Sequence, residues 1–188
     1  MEHNMTDSER KEIIDYGLYR MKIILVSIAV TLLLGCIMGI FVQSVCFLIS
    51  FLAIRRYAGG YHARTQKLCF LISFLVLCIS FLIFQSFDRK IMGIVFAVDL
   101  LYSILIWNLA PVDNPNKKLD HAELEKYRKC VRKVLLTDNI ILIITYGMKQ
   151  SNIFFGISIS IWITCIAVVA GRIVNQAHRP VPLTDKYR

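Results

Sequence analysis

The 188-residue sequence predicts an all-α integral membrane protein with about six transmembrane helices, some of them short or re-entrant, preceded by an N-terminal interfacial helix. Three observations predict it. A mean hydropathy of +0.59 is too apolar for the ordinary usage of a soluble domain. The apolar residues come in long uncharged blocks rather than in the alternation of half-buried strands. Lys and Arg collect in every second connection between those blocks, as the positive-inside bias requires. The length suits one polytopic membrane domain, 1–188.

Residues 1–22 mix charge with Ile13, Ile14, Tyr16 and Leu18. Thr6 with Glu9 three residues later fits a capping box, so this lead is read as a helix lying on the membrane surface or, equally, as a solvated lead-in to the first span. No cleavable signal peptide is evident in it. From Ile23 to Ile54 there are 32 residues without a charge, more than one span needs and short of two full ones. Gln43-Ser44 lies near the middle and is the predicted turn of a hairpin with spans at about 23–42 and 44–54; one long helix or a re-entrant segment is the alternative.

After a polar island at 55–67, residues 68–87 form a span that ends at Asp88-Arg89-Lys90. Residues 91–110 form another, interrupted by Asp99. In the basic loop 111–133, Pro111 and Pro115 stop the preceding helix, and Asp120 with Glu123 starts the next. Residues 134–148 are short for a span, contain Asp138 and Asn139, and gain length from the loop helix before them. Lys149 to Asn152 turn the chain into the last span, 153–170. The basic tail 171–188 is read as irregular.

With six spans, nineteen of the 22 Lys and Arg fall on the side of both termini, the island and the 111–133 loop, against three on the other. That asymmetry places the termini and the island at the cytoplasmic face of a multi-pass cell-membrane protein. It also accounts for the net charge of +9. The expected contact is the lipid bilayer, with no nucleic acid partner.

The six cysteines include no CxxC pair, and Cys36, Cys46, Cys78 and Cys165 sit in apolar runs, where cysteine is a small hydrophobe. His3, His121 and His178 are scattered. No metal site and no cofactor is expected.

The chemistry concentrates in Arg55-Arg56-Tyr57-Ala58-Gly59-Gly60-Tyr61-His62-Ala63-Arg64-Thr65-Gln66-Lys67-Leu68-Cys69. A histidine that takes the proton of a nearby thiol makes it a nucleophile at neutral pH. On one continuous helix, His62 and Cys69 would share a face but stand about 10 Å apart along the axis, too far for proton transfer. The helix must therefore break between them. Gly59-Gly60 supplies the break, folding His62 back over a helix that begins near Thr65 and whose N-terminus favours a thiolate at Cys69.

This RRYAGGYHARTQKLC segment, set between spans in a chain of this size, closely resembles the accessory gene regulator B (AgrB) family of Gram-positive quorum-sensing systems. The resemblance extends to the polar lead and to the Ala110-Pro111-Val112 … Asn-Pro-Asn-Lys-Lys-Leu stretch ending at Leu119. It implies a membrane cysteine endopeptidase that removes the C-terminal tail of a small, AgrD-like precursor peptide and promotes closure of the remainder into a thiolactone or lactone. By that resemblance Cys69 is the nucleophile and His62 its base and then acid. Arg55, Arg56, Gly59, Gly60 and Gln66 are supporting or substrate-binding candidates, the arginines for acidic groups. Asp99, Asp138 and Asn139, with Gln66, are candidates by chemistry alone to orient His62. The resemblance is compatible with a homodimer, and Gly35-x-x-x-Gly39 is a helix-packing pattern.

Against this stands a non-enzymatic membrane protein, a transporter or exporter of a small peptide or solute, in which Asp99, Asp138 and Asn139 mark a pathway. A scaffold that holds a partner with its basic loop is the other rival. Neither explains why His, Cys and Gly-Gly converge in one segment.

Overall fold

The computed structural model describes residues 7–59, 66–85, 88–112 and 120–177; within helices, the side chains of 7–10, 66–73, 84–85 and 175–177, with a few more before residue 21, lie outside the description. Within the described residues six long helices follow one another: α1 (Asp7–Ile37), α2 (Phe41–Ala58), α3 (Gln66–Gln85), α4 (Met92–Leu109, entered through a 3-10 turn at Arg89–Ile91), α5 (His121–Gly147) and α6 (Ser151–Ala177). Among the described residues four are long and apolar enough to cross a bilayer: Gly17–Ile37, Phe41–Ala58, Arg89–Leu109 and Ser151–Val174. The chain is an all-α membrane protein.

The centre of the bundle is α6. Every residue from Phe154 to Ile161 is buried, and α6 packs against α2, α3, α4 and α5. A helix apolar all round and buried all round belongs inside other helices. The outer helices instead carry bulky apolar residues into the open: Ile49 on α2, Ile94 and Ile104 on α4, Ile140 and Ile143 on α5 are all more than half exposed. Apolar faces of that extent belong against lipid chains.

Lipid is as apolar as leucine, so association inside a bilayer rests on close packing and on hydrogen bonds between helices. Both occur here. A Cβ on Gly156 of α6 would stand 2.6 Å from the Gln43 carbonyl oxygen, so only glycine lets α2 approach this closely. Asp99 of α4 accepts from Ser158 Oγ and Trp162 Nε1 of α6, each at 2.6 Å. Asp138 of α5 accepts from Ser50 Oγ of α2 at 2.8 Å, and Ser50 also meets Ser160 of α6. Asn139 Nδ2 donates to Ser103 Oγ at 3.1 Å, joining α5 to α4.

Two expectations are corrected. The α1–α2 turn lies at Met38–Ile40, not at Gln43-Ser44. Gly39 has φ +71°, its N–H bonds to Cys36 O, and the Ile40 N–H bonds to Gly35 O, the pairing of a Schellman cap. Gln43 and Ser44 are buried inside α2, and Gly35 is the close contact of α1 with Ser44. The Gly35-x-x-x-Gly39 pattern is thus used within the chain, one glycine for packing and the other for the turn. Secondly, no break separates the N-terminal lead from the first span: from Asp7 onward it is the opening of α1. The expected lengthening of 134–148 by the loop helix is seen, since α5 starts at His121, capped by the Asp120 side chain, but α5 is not among the four helices long and apolar enough to cross a bilayer. α2 ends at Ala58 with Gly59 beyond it, while the expected break between His62 and Cys69 falls in part outside the described residues.

Candidate active site

The C-terminal end of α2, the end of α4, the charged half of α5 and the end of α6 meet at one end of the bundle. Arg55 and Arg56 stand in the last turn of α2, where cations complement the carbonyl end of a helix. Gly59 then leaves the helix at φ +68°, ψ −143°, a conformation essentially confined to glycine. Arg55 Nη1 donates to Gly59 O at 2.7 Å, closing over the turn.

A short segment from the far side of the fold clamps this exit. After α4 the chain runs through Ala110-Pro111-Val112, with a cis peptide before Pro111. Val112 pairs with Gly59 in an isolated parallel bridge, its N–H donating to Ala58 O at 2.9 Å. Ala58, Ala110 and Val112 are all buried. The Arg172 guanidinium of α6 reaches the same place, with Nε at 3.2 Å and Nη2 at 2.9 Å from Leu109 O. It satisfies a carbonyl that the end of α4 leaves open. On α5, Tyr127 packs edge-on against Tyr57 and the Arg132 guanidinium lies 4.9 Å over the Trp107 ring. The basic turns of α5 therefore rise beside the point where α2 gives way to the island.

Below this end, α1, α2 and α3, with Ile163 of α6, line a half-open cavity of about 640 Å³. Its walls are mostly Ile, Leu and Phe, while Arg55, Arg56 and Gly59 line the end nearest the island.

The predicted site residues divide into three groups. His62 and Gly60 lie outside the described residues. Gln66 and Cys69 fall in the first turns of α3, with side chains outside the description. Arg55, Arg56 and Gly59 gather at the exit of α2, Arg56 exposed and 5.7 Å over the Tyr57 ring. Asp99, Asp138 and Asn139 are not brought to this end. Asp99 lies ten residues before the end of α4, about 15 Å along the axis. Ser50, the partner of Asp138, lies eight residues before Ala58, about 12 Å. All three are engaged with neighbouring helices inside the bundle. Among the described residues no three His, Cys, Asp or Glu side chains gather as a metal site.

Sequence reasoning missed Val112 and Arg172. The Ala-Pro-Val stretch was visible as a stop after α4, but nothing along the chain tells which helix end it will cross.

A profile of the accessory gene regulator B family matches residues 1–168. The chain belongs to this AgrB family. Similar proteins include putative AgrB-like protein 2 of Clostridium perfringens (strain 13 / Type A), 36% identical over 135 residues that cover 68% of this chain and 61% of that protein. Another is the putative AgrB-like protein of Clostridium perfringens (strain SM101 / Type A), 28% identical over 178 residues that cover 92% of this chain and 83% of the relative. The match to the first thus spans about three-fifths of that relative's length. No solved structure matches the chain. In this chain the first glycine of the GGYHA segment ends α2 and Cys69 lies in α3.

Proposed function

We propose that this protein is a membrane-embedded cysteine endopeptidase of an agr-type quorum-sensing system, acting on a small AgrD-like precursor. The observation that carries the reading is the Gly59-Gly60-Tyr61-His62-Ala63 … Cys69 motif in an AgrB family chain, entered through a helix break and followed by a helix that carries Cys69 in its first turns.

His62 takes the thiol proton of Cys69, and the thiolate attacks the scissile carbonyl of the precursor. The tetrahedral intermediate collapses by breaking the C–N bond. His62 returns the proton to the leaving amine, and the C-terminal tail departs. The remaining segment is held as a thioester on Cys69, which keeps the carbonyl activated. A cysteine or serine side chain of the same segment then attacks that carbonyl, loses its proton to His62 and expels the Cys69 thiolate. The product is a thiolactone or a lactone, released as an autoinducing peptide. A site walled by apolar helices keeps water from the thioester long enough for the ring to close.

In this reading this end of the bundle and both termini face the cytoplasm, and the excess of Lys and Arg on that side supports it. Arg55 binds no precursor group in this reading. It closes the Gly59 turn, and the exposed Arg56 is the cation available to carboxylates of the departing tail.

Co-expression with an AgrD-type propeptide tests the reading. Wild type is expected to release the C-terminal tail, while Cys69→Ala and His62→Ala reach the membrane and do not. Normal cleavage by Cys69→Ala would refute the assignment.

A further inference from the structure

The cavity between α1, α2 and α3 is graded from one end to the other. Its inner walls are apolar, with Ile28, Phe47, Phe51, Phe74 and Leu77 as the bulky contacts. Ser27 and Thr31 also line it, but their hydroxyls already donate to Ile23 O and Ser27 O, each at 2.8 Å, which leaves a lining with little polar demand. All of the charge is at the other end, where Arg55 and Arg56 stand beside Gly59. A mostly apolar cleft of about 640 Å³ with polar groups converging at one end has the character of a ligand pocket.

Its position says which ligand. The charged end is the segment that leads into the island. Gly59, the first residue of the GGYHA motif, lines that end. α3, the helix that carries Cys69, supplies another wall through Phe74 and Leu77. The cavity therefore borders the segment that a precursor must reach.

We propose that this cavity is a specificity subsite, holding apolar side chains of the precursor segment on the acyl side of the scissile bond. The inference rests on the endopeptidase reading above. The segment held there is the one that stays on Cys69 through ring closure, so apolar walls retain it and keep it dry across both steps. The departing tail faces the arginine end, where release into water meets no apolar barrier.

Photo-crosslinking tests this in the Cys69→Ala background, with a tagged AgrD-type propeptide that the wild-type protein cleaves. Benzoylphenylalanine replaces Phe51 on the cavity wall or, as the control, Ile49, which is 67% exposed on the lipid-facing side of the same helix. A propeptide adduct at position 51 and none at 49 is the expected result. Adducts at 51 to lipid alone, equal adducts at both positions, or none at either would overturn the proposal. In the otherwise wild-type protein, Leu48→Trp narrows the cavity. It should raise KM for the propeptide about tenfold, the equivalent of one lost buried apolar side chain, with kcat little changed. An unchanged KM also counts against the subsite. If Cys69→Ala cleaves normally, the endopeptidase reading fails. If it is inactive and position 51 captures no propeptide, only the subsite does.

Discussion

Gly59 and Val112, fifty-three positions apart in sequence, are in such close contact that the Val112 carbonyl oxygen occupies the space a Cβ at residue 59 would need. The contact ties the end of α2 to the segment after α4, and through Leu109 O to Arg172 of α6. Three helix ends are thereby held together where the His62 segment begins.

Gly59→Ala is accordingly expected to be strained twice, by its backbone conformation and by the Val112 carbonyl. The cost should be about 1–3 kcal/mol of backbone strain, or a rearranged exit from α2. Precursor cleavage and thermal unfolding in detergent measure the two consequences. Cleavage should fall well before the fold is lost, because the strain lies at the entrance to the island and outside the α6 core. Wild-type cleavage by this variant would show that the clamp does not position the site.

Gly156 supports packing rather than chemistry. Gly156→Val would drive a branched side chain against the Gln43 backbone of α2. Overpacking of this kind costs about 1–3 kcal/mol. The expected outcome is a lowered unfolding midpoint in detergent, with Gly156→Ala milder than Gly156→Val.

The buried carboxylates hold helices together. Asp99→Ala removes the bonds that Ser158 Oγ and the Trp162 indole make to the carboxylate, and Ser158 keeps the Phe154 O contact at 3.1 Å. The loss should be worth about 1–3 kcal/mol. Asp99→Asn keeps one acceptor oxygen and should be less damaging. A double-mutant cycle between Ser50→Ala and Asp138→Ala should return a coupling of about 0.5–2 kcal/mol, the range for hydrogen bonds between membrane helices. Zero coupling in the unfolding measurement would remove that bond from the account.

Lys149 turns the α5–α6 corner at φ +56°, and its N–H and that of Gln150 close on Tyr146 O and Thr145 O as a Schellman cap. A lysine there carries the steric cost that glycine avoids. Lys149→Gly should be neutral or stabilising by up to about 1 kcal/mol, read as a raised unfolding midpoint with cleavage unchanged.

Much of the fold was legible from local chemistry. Spans of uncharged residues, Asp120 ahead of Glu123, and Gly59-Gly60 ahead of Cys69 each announce a helix, a cap or a break from nearest-neighbour physics alone. Where two local readings competed, the sequence misled. Gly35 and Gly39 matched a packing pattern, and Gln43-Ser44 looked like the polar turn of a hairpin. In the fold Gly39 is the cap, while Gln43 and Ser44 face inward against Gly156 and Gly35.

What the sequence by itself determined is the membrane class, the family and the local helix signals, because hydrophobic length, a compact motif and glycine breaks are properties of short stretches. Only the tertiary structure decided that Asp99 and Asp138 are spent on Ser158, Trp162 and Ser50, that Val112 and Arg172 close over the helix ends, and that a cavity opens beside α3. Those are pairings across tens of residues, and their partners are selected by how the helices pack around α6.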